Sequence, residues 1–258
     1  MLHYQSIGKS NQTLVFLHGY LENLKIWFDL SDEISKNYQV VLIDLPGHGK
    51  SENLSETNTM EMMADKVIEV LDFLKIKNFS LCGHSMGGYV TLALAEKYAE
   101  RIDGFILMNS TTLEDSEAKK AQRLKAVDTA NKNLPLLINM NIPGLFAKSH
   151  LDQMKNEIEF VKNIALETPI KGVQAALRGM RLRENKNYLL NEFEKPILII
   201  VGLQDETVNP KEFLEIIPNK DNIQILQLNV GHMAYLEDYK ATLKSLENFL
   251  TKVNSFGH

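Results

Sequence analysis

Residues 82–88 read Cys82-Gly83-His84-Ser85-Met86-Gly87-Gly88, a G-x-S-x-G pentapeptide centred on Ser85. The apolar run Phe79-Ser80-Leu81-Cys82 precedes it, and the helix-compatible stretch Tyr89–Tyr98 comes after it. Strand, tight turn and helix is the context in which such a pentapeptide pushes a serine hydroxyl out at the top of a sheet. The turn forces strained dihedrals and close backbone approach, which Gly83 and Gly87 tolerate and a Cβ would not. Five residues alone also describe an ordinary Gly-rich turn, so the flanking sequence has to decide between the two.

Working outward, short apolar runs recur at Thr13–Leu17, Gln39–Ile43, Phe79–Cys82, Gly104–Met108 and Pro196–Val201. Each is nearly continuous in apolar residues, as expected of parallel strands covered on both faces. Ile223–Leu228 alternates in part and suits a strand near an edge. Helical candidates, among them Met60–Leu74 and Tyr239–Val253, lie between the strands. The pattern predicts an α/β protein with a mostly parallel central sheet flanked by helices.

From Thr111 to Glu194 the alternation stops and no strand is visible. Ser116–Asn131 is charged and helix-prone, and Pro135 and Pro143-Gly144 interrupt the chain beyond it. Leu151, Met154, Ile158, Val161 and Ala165 recur at three- and four-residue spacing, which marks an amphipathic helix. Thr168-Pro169 reads as a helix start, with Thr168 as N-cap and Pro169 in the first helical position. The expected organisation is a core of residues 1–110 and 195–258, with residues 111–194 as a helical cap inserted after the sixth strand. Met140, Leu145, Phe146, Leu151 and Met154 either line an apolar pocket or form the cap's own core.

With 258 residues, a net charge of -5, 44 % hydrophobic and 24 % charged residues, the chain is an ordinary globular protein large enough for one domain with an insertion. It has no basic excess to neutralise phosphates, so nucleic acid is not the expected partner; a small-molecule substrate is. The single cysteine, Cys82, cannot form an internal disulfide and reads as a small core residue. The polar start MLHYQSIGKSNQ lacks a signal-peptide core, and no run of ~18 apolar residues predicts a membrane span, so a cytoplasmic location is expected. The seven histidines form no H-E-x-x-H or Cys/His cluster, and neither a metal nor another cofactor is expected.

A serine alcohol is a weak nucleophile that needs a base, a group to orient the base, and donors for the developing oxyanion. His232, in Asn229-Val230-Gly231-His232-Met233, directly follows the last strand and is the candidate base. Asp205, in Gly202-Leu203-Gln204-Asp205-Glu206, follows the 196–201 strand and is the candidate orienting acid, with Glu206 as its neighbouring rival. The order serine, acid, histidine fits a nucleophile placed on such a turn. The Met86 N–H, at a helix N-terminus, is one candidate oxyanion donor. The second comes from Leu17-His18-Gly19-Tyr20-Leu21, where Gly19 permits close approach and the Tyr20 N–H is the choice. His18 takes a supporting hydrogen-bonding role. Asp44-Leu45-Pro46-Gly47-His48-Gly49-Lys50-Ser51 lacks the spacing of a phosphate-binding loop and reads as structural.

Taken together, LHGY at 17–20, DLPGHGKS at 44–51, GHSMGG at 83–88, GLQDETV at 202–208 and GHMAYLE at 231–237 make the chain resemble the α/β-hydrolase superfamily, in its capped esterase and lactonase branch. The resemblance implies Ser85, Asp205 and His232 as a catalytic triad, with the Tyr20 and Met86 amides as oxyanion hole. It also implies cofactor-free cleavage of a small carboxylic ester, thioester or lactone. Relatives with an aspartate nucleophile, the haloalkane dehalogenases and epoxide hydrolases, are disfavoured. The same frame looks like carbon–carbon bond hydrolases and a menaquinone-pathway lyase, so an anionic substrate is the alternative. A non-catalytic receptor on this fold is the reading from a different class, and the intact triad argues against it. Arg178 and Arg181 share a helical face while Arg183 points elsewhere. The first two are the candidate contacts for a substrate carboxylate, with a solvated surface as the alternative.

Overall fold

The apolar runs pair side by side into one seven-stranded sheet in a computed structural model that describes residues 1–256. The strands are β1 Tyr4–Ile7, β2 Thr13–Leu17, β3 Gln39–Ile43, β4 Phe79–His84, β5 Ile102–Met108, β6 Ile197–Gly202 and β7 Ile223–Leu228. Their spatial order is β1-β3-β2-β4-β5-β6-β7. Every neighbouring pair is parallel except β1 with β3, where Tyr4 faces Ile43. Every residue of β2, β4 and β6 is buried, as strands covered on both faces require. At the far edge β7 keeps the mixed burial its partial alternation predicts.

Strand β1 is not visible in the sequence. It has one neighbour and is only half-buried, so its Tyr-Gln-Ser-Ile sequence carries neither a continuous apolar run nor a clean alternation.

The helices are α1 Phe28–Ile34, α2 Met60–Phe73, α3 Met86–Lys97, α4 Glu117–Asn141, α5 Lys155–Leu166, α6 Ile170–Leu182, α7 Leu189–Glu192, α8 Pro210–Ile216, α9 Ala234–Glu237 and α10 Tyr239–Phe256. Helix α2 starts on Thr59, whose hydroxyl accepts the Met62 N–H at 3.2 Å. Helix α3 is buried from Met86 through Ala95, between α2 and the sheet. Among the described residues, no helix is long and apolar enough to cross a membrane.

Helices α4 to α7 fill the span between β5 and β6. This helical segment therefore follows the fifth strand, not the sixth. Residues 18–38 and 44–78 form loops and helices, which leaves five strands ahead of the insertion. Helix α4 kinks where Asn133 leaves the helical conformation, two residues before Pro135. The Asn133 side chain then accepts the Leu136 N–H at 3.0 Å and starts the second half as a cap. The helix start at Thr168 also differs from expectation by one residue. Pro169 is itself the extended N-cap of α6, and the buried Thr168 hydroxyl has no hydrogen-bond partner.

Candidate active site

In an open α/β sheet, ligands sit beyond the carboxyl ends of the strands where the strand order reverses. Here that point lies between β2, whose next strand in the chain pairs on one side, and β4, which runs on to β5 on the other. The loop after β2 and the turn after β4 therefore face each other across one crevice.

Ser85 occupies the turn after β4 with φ 49° and ψ −114°. For a non-glycine residue this conformation costs on the order of 1–3 kcal/mol and persists only where its surroundings enforce it. They do so here. Its N–H donates to the Met108 carbonyl at 3.0 Å, and its carbonyl accepts from the Gly88 N–H and the Ser110 hydroxyl, each at 2.9 Å. A Cβ on Gly83 would fall on the Gly87 carbonyl, and one on Gly87 would fall on the Leu17 carbonyl. The elbow thus closes only with glycine at both positions.

Asp205 follows β6 and His232 follows β7, and the two side chains meet at 2.7 Å between Oδ2 and Nδ1. The other Asp205 oxygen accepts the Thr207 and Val208 amides at 2.8 and 3.0 Å. Burial pushes this carboxyl upward, but His232 beside it and the two amides outweigh that and hold it below its ordinary value. An ionised Asp205 fixes His232 with its proton on Nδ1, leaving Nε2 as the acceptor. Ser85 and His232 line one cavity of about 760 Å³. Among the described residues, neither the Ser85 hydroxyl nor His232 Nε2 has a protein hydrogen-bond partner, so both are uncommitted. The Tyr20 and Met86 amides likewise donate to no protein acceptor.

The remaining predicted residues divide. His18 is fully buried; its Nδ1 donates to the Gly19 carbonyl at 2.8 Å and its Nε2 accepts the Leu45 N–H at 2.9 Å. Burial pushes its pKa down, consistent with a neutral ring that joins two loops. Asp44 does similar work: it accepts the Leu24 and Lys50 amides at 2.8 and 2.9 Å, so the 44–51 loop is indeed a structural clamp. Met140 and Leu145 line the cavity, whereas Phe146 is buried, and Leu151 and Met154 pack on the core away from it.

Arg178 and Arg181 do not reach the cavity. The Arg178 guanidinium donates to the Glu56 carbonyl at 2.9 Å in an exposed position, and neither residue is part of the lining. Arg183 does line it. Helical periodicity misplaces these arginines because α6 ends at Leu182: Arg183 is extended (φ −61°, ψ 142°), and its direction no longer follows the helical repeat.

Sequence reasoning also missed a buried ion pair behind the site. His84 Nδ1 meets Glu22 Oε2 at 2.9 Å, and His84 Nε2 donates to the His232 carbonyl at 2.9 Å. Glu22 also accepts the Gly19 N–H at 2.5 Å and the Tyr235 hydroxyl at 3.1 Å. Burial opposes charge on both members, yet each outweighs it for the other, leaving Glu22 below and His84 above its ordinary value. The pair joins the loop that carries Tyr20 to the loop that carries His232. The local signal was slight: an acid, Glu22, three residues after Gly19 and beside the polar Asn23. Asn109, equally unforeseen, donates to Asp205 Oδ2 at 3.3 Å and to the Gly231 carbonyl at 3.0 Å.

Comparison with known proteins gives a match of residues 12–162 to the family described as alpha/beta hydrolase fold. The chain is 26% identical over 250 residues to the dihydrolipoyllysine-residue acetyltransferase component of the acetoin cleaving system of Pseudomonas putida. That alignment takes in 95% of this chain but only 65% of the longer relative. It is 27% identical to the 2-hydroxy-6-oxononadienedioate/2-hydroxy-6-oxononatrienedioate hydrolase of Burkholderia vietnamiensis, over 97% of this chain and 91% of that protein. A thermophilic esterase from Thermogutta terrifontis, solved with malate bound, superposes with a TM-score of 0.92 at 28% identity, over 98% of this chain and 93% of that one.

Proposed function

The chain belongs to the alpha/beta hydrolase fold family, and from that premise we propose that it is a serine hydrolase of small carboxylic esters, thioesters or lactones. One observation carries the reading. A serine held in a strained elbow shares a cavity wall with a histidine whose far nitrogen is fixed at 2.7 Å by a buried carboxylate.

In this mechanism Ser85 Oγ attacks the substrate carbonyl while His232 Nε2 takes its proton. Asp205, already ionised, stabilises the imidazolium without accepting the proton. The developing oxyanion receives the uncommitted Tyr20 and Met86 amides. His232 returns the proton to the leaving alcohol, and water then cleaves the acyl-enzyme by the same route. Residues 111–194 act as a cap over this cavity. The esterase name of the Thermogutta relative supports the ester reading. The Burkholderia relative's name, a hydrolase of dioates, favours a second reading in which the same triad opens a carbon–carbon bond of an anionic substrate.

The test is hydrolysis of p-nitrophenyl esters from acetyl to dodecanoyl by the wild type and by Ser85→Ala. Turnover that peaks at one chain length and vanishes in the variant is expected. No Ser85-dependent turnover of any ester would overturn the ester reading and move attention to dioate substrates.

A further inference from the structure

The cavity beside Ser85 has a cationic wall that the acyl-transfer chemistry leaves unused. Helix α4 contributes Lys119 and Arg123, and the residue after α6 contributes Arg183. Asp115 is the carboxylate among them, and both arginines engage it. Arg123 does so through Nε and, at 3.2 Å, through Nη2; Arg183 does so through Nη1 at 2.7 Å. Two arginines thus share one carboxylate, while Lys119 and the exposed Lys125, also on this wall, pair with none among the described residues.

Lys119 is half-buried, and among the described residues its ammonium has no carboxylate within ion-pair distance, while the adjacent Lys120 takes Glu114 and Glu117. Arg123 Nη1 donates only to the Met180 thioether at 3.3 Å, a weak acceptor. The Tyr20 hydroxyl, on the same cavity, is buried with no hydrogen-bond partner. The other bordering acids are largely spoken for, Glu22 by His84, Glu114 by Lys120 and Glu206 by Lys148, while Glu212 is exposed on α8. Burial first and Arg123 second lower the Lys119 pKa, against Asp115 and Asp205, which marks a cation short of counter-charge. Leu137, Ile142 and Leu177 give the rest of the lining an apolar character suited to a short carbon chain.

We propose that Lys119, Arg123 and the Tyr20 hydroxyl form a carboxylate-accepting subsite, so that the ester or lactone cleaved at Ser85 carries a free carboxylate on a short chain. The cleavage half of this statement rests on the serine-hydrolase reading; the binding half does not.

The experiment therefore has two arms. Calorimetric titration of glutarate into the Ser85→Ala protein reads binding without turnover. Glutarate is expected to bind, glutaramide not, and Lys119→Gln or Tyr20→Phe added to Ser85→Ala to weaken binding about tenfold, the loss of one charge-assisted hydrogen bond. Lys120→Gln, one residue along, keeps it. Absence of binding, or equal weakening by Lys119→Gln and Lys120→Gln, overturns the subsite. The second arm compares kcat/KM for the p-nitrophenyl monoester of glutarate with that for p-nitrophenyl butyrate. The ratio favours the glutarate ester in the wild type and falls about tenfold in Lys119→Gln. A ratio at or below one in the wild type, or one unmoved by Lys119→Gln, counts against the proposal. Ser85-independent or absent turnover with Lys119-dependent glutarate binding sinks the hydrolase reading and leaves the subsite standing. Ser85-dependent turnover without that binding does the reverse.

Discussion

The carboxyl edge of the sheet and the helical segment between β5 and β6 border the same cavity but are built on different principles. At the sheet edge, each candidate catalytic side chain sits one to four residues beyond the end of a strand whose register is fixed by pairing within the sheet, on both sides for β4 and β6 and on one side for β7. Ser85 follows β4, Asp205 follows β6 and His232 follows β7. In the helical segment, position is set by where helices kink and stop, as at Asn133 and Arg183. Under the proposed function, the first arrangement delivers the reaction and the second tunes what enters it. Substitutions on the sheet edge should therefore act on turnover itself, and those on the helical segment on substrate choice.

The largest effect falls on the triad. Ser85→Ala is expected to lower kcat by at least ~10⁴-fold and Asp205→Asn by about 10⁴-fold, the latter because the wrong tautomer of His232 then faces the serine. Ester hydrolysis under saturating substrate reads both. If Asp205→Asn kept more than a tenth of wild-type turnover, Glu206 or another group would have to be orienting the base.

Next come the buried supports. Glu22→Gln strands a buried histidine and is expected to cost about 3–5 kcal/mol of stability, by denaturant unfolding. The pH dependence carries the signature. His84, raised above its ordinary 6.5, contributes stability that is complete below about 6.5 and lost as pH rises through its folded value. Glu22, lowered from 4.5, contributes stability that is complete above about 4.5 and lost as pH falls through its folded value. The gap between wild type and Glu22→Gln is thus widest between about pH 4.5 and 6.5 and narrows on either side. A gap independent of pH would mean that the two groups are not ionised together. A smaller loss, about 1–2 kcal/mol in activation free energy, is expected for Asn109→Ala, which frees one side of Asp205 and the Gly231 carbonyl.

The contrast between the two regions also explains what could be read from the chain. Runs such as Thr13–Leu17 and Gln39–Ile43 were legible because burial on both faces leaves only apolar side chains after their first, polar residue. The serine, acid and histidine positions came with them, since each needs only a strand end. The Glu22–His84 pair was not legible, because its members lie 62 residues apart and nothing local joins them. Nor was the cationic wall: Lys119 and Arg123 sit in a charged helix, Ser116–Asn131, whose sequence looks like a solvated surface. Only the placement of α4 over the sheet edge turns part of that helix inward.

Arg178 gives the comparison its finest test, because it belongs to the helical segment yet lies off the cavity. Periodicity puts it on one face with Arg181, and a carboxylate-binding role there would make Arg178→Ala costly. In the structure its guanidinium reaches only the exposed Glu56 carbonyl, an interaction competing with water on equal terms. Arg178→Ala is therefore expected to change kcat/KM for the glutarate ester by less than about threefold and stability by within about 0.5 kcal/mol, as surface substitutions generally do. A tenfold loss confined to the carboxylate ester would mean that the helical segment closes further over the cavity during turnover and brings α6 to the substrate. A small effect leaves specificity with the residues that α4 and the end of α6 turn inward.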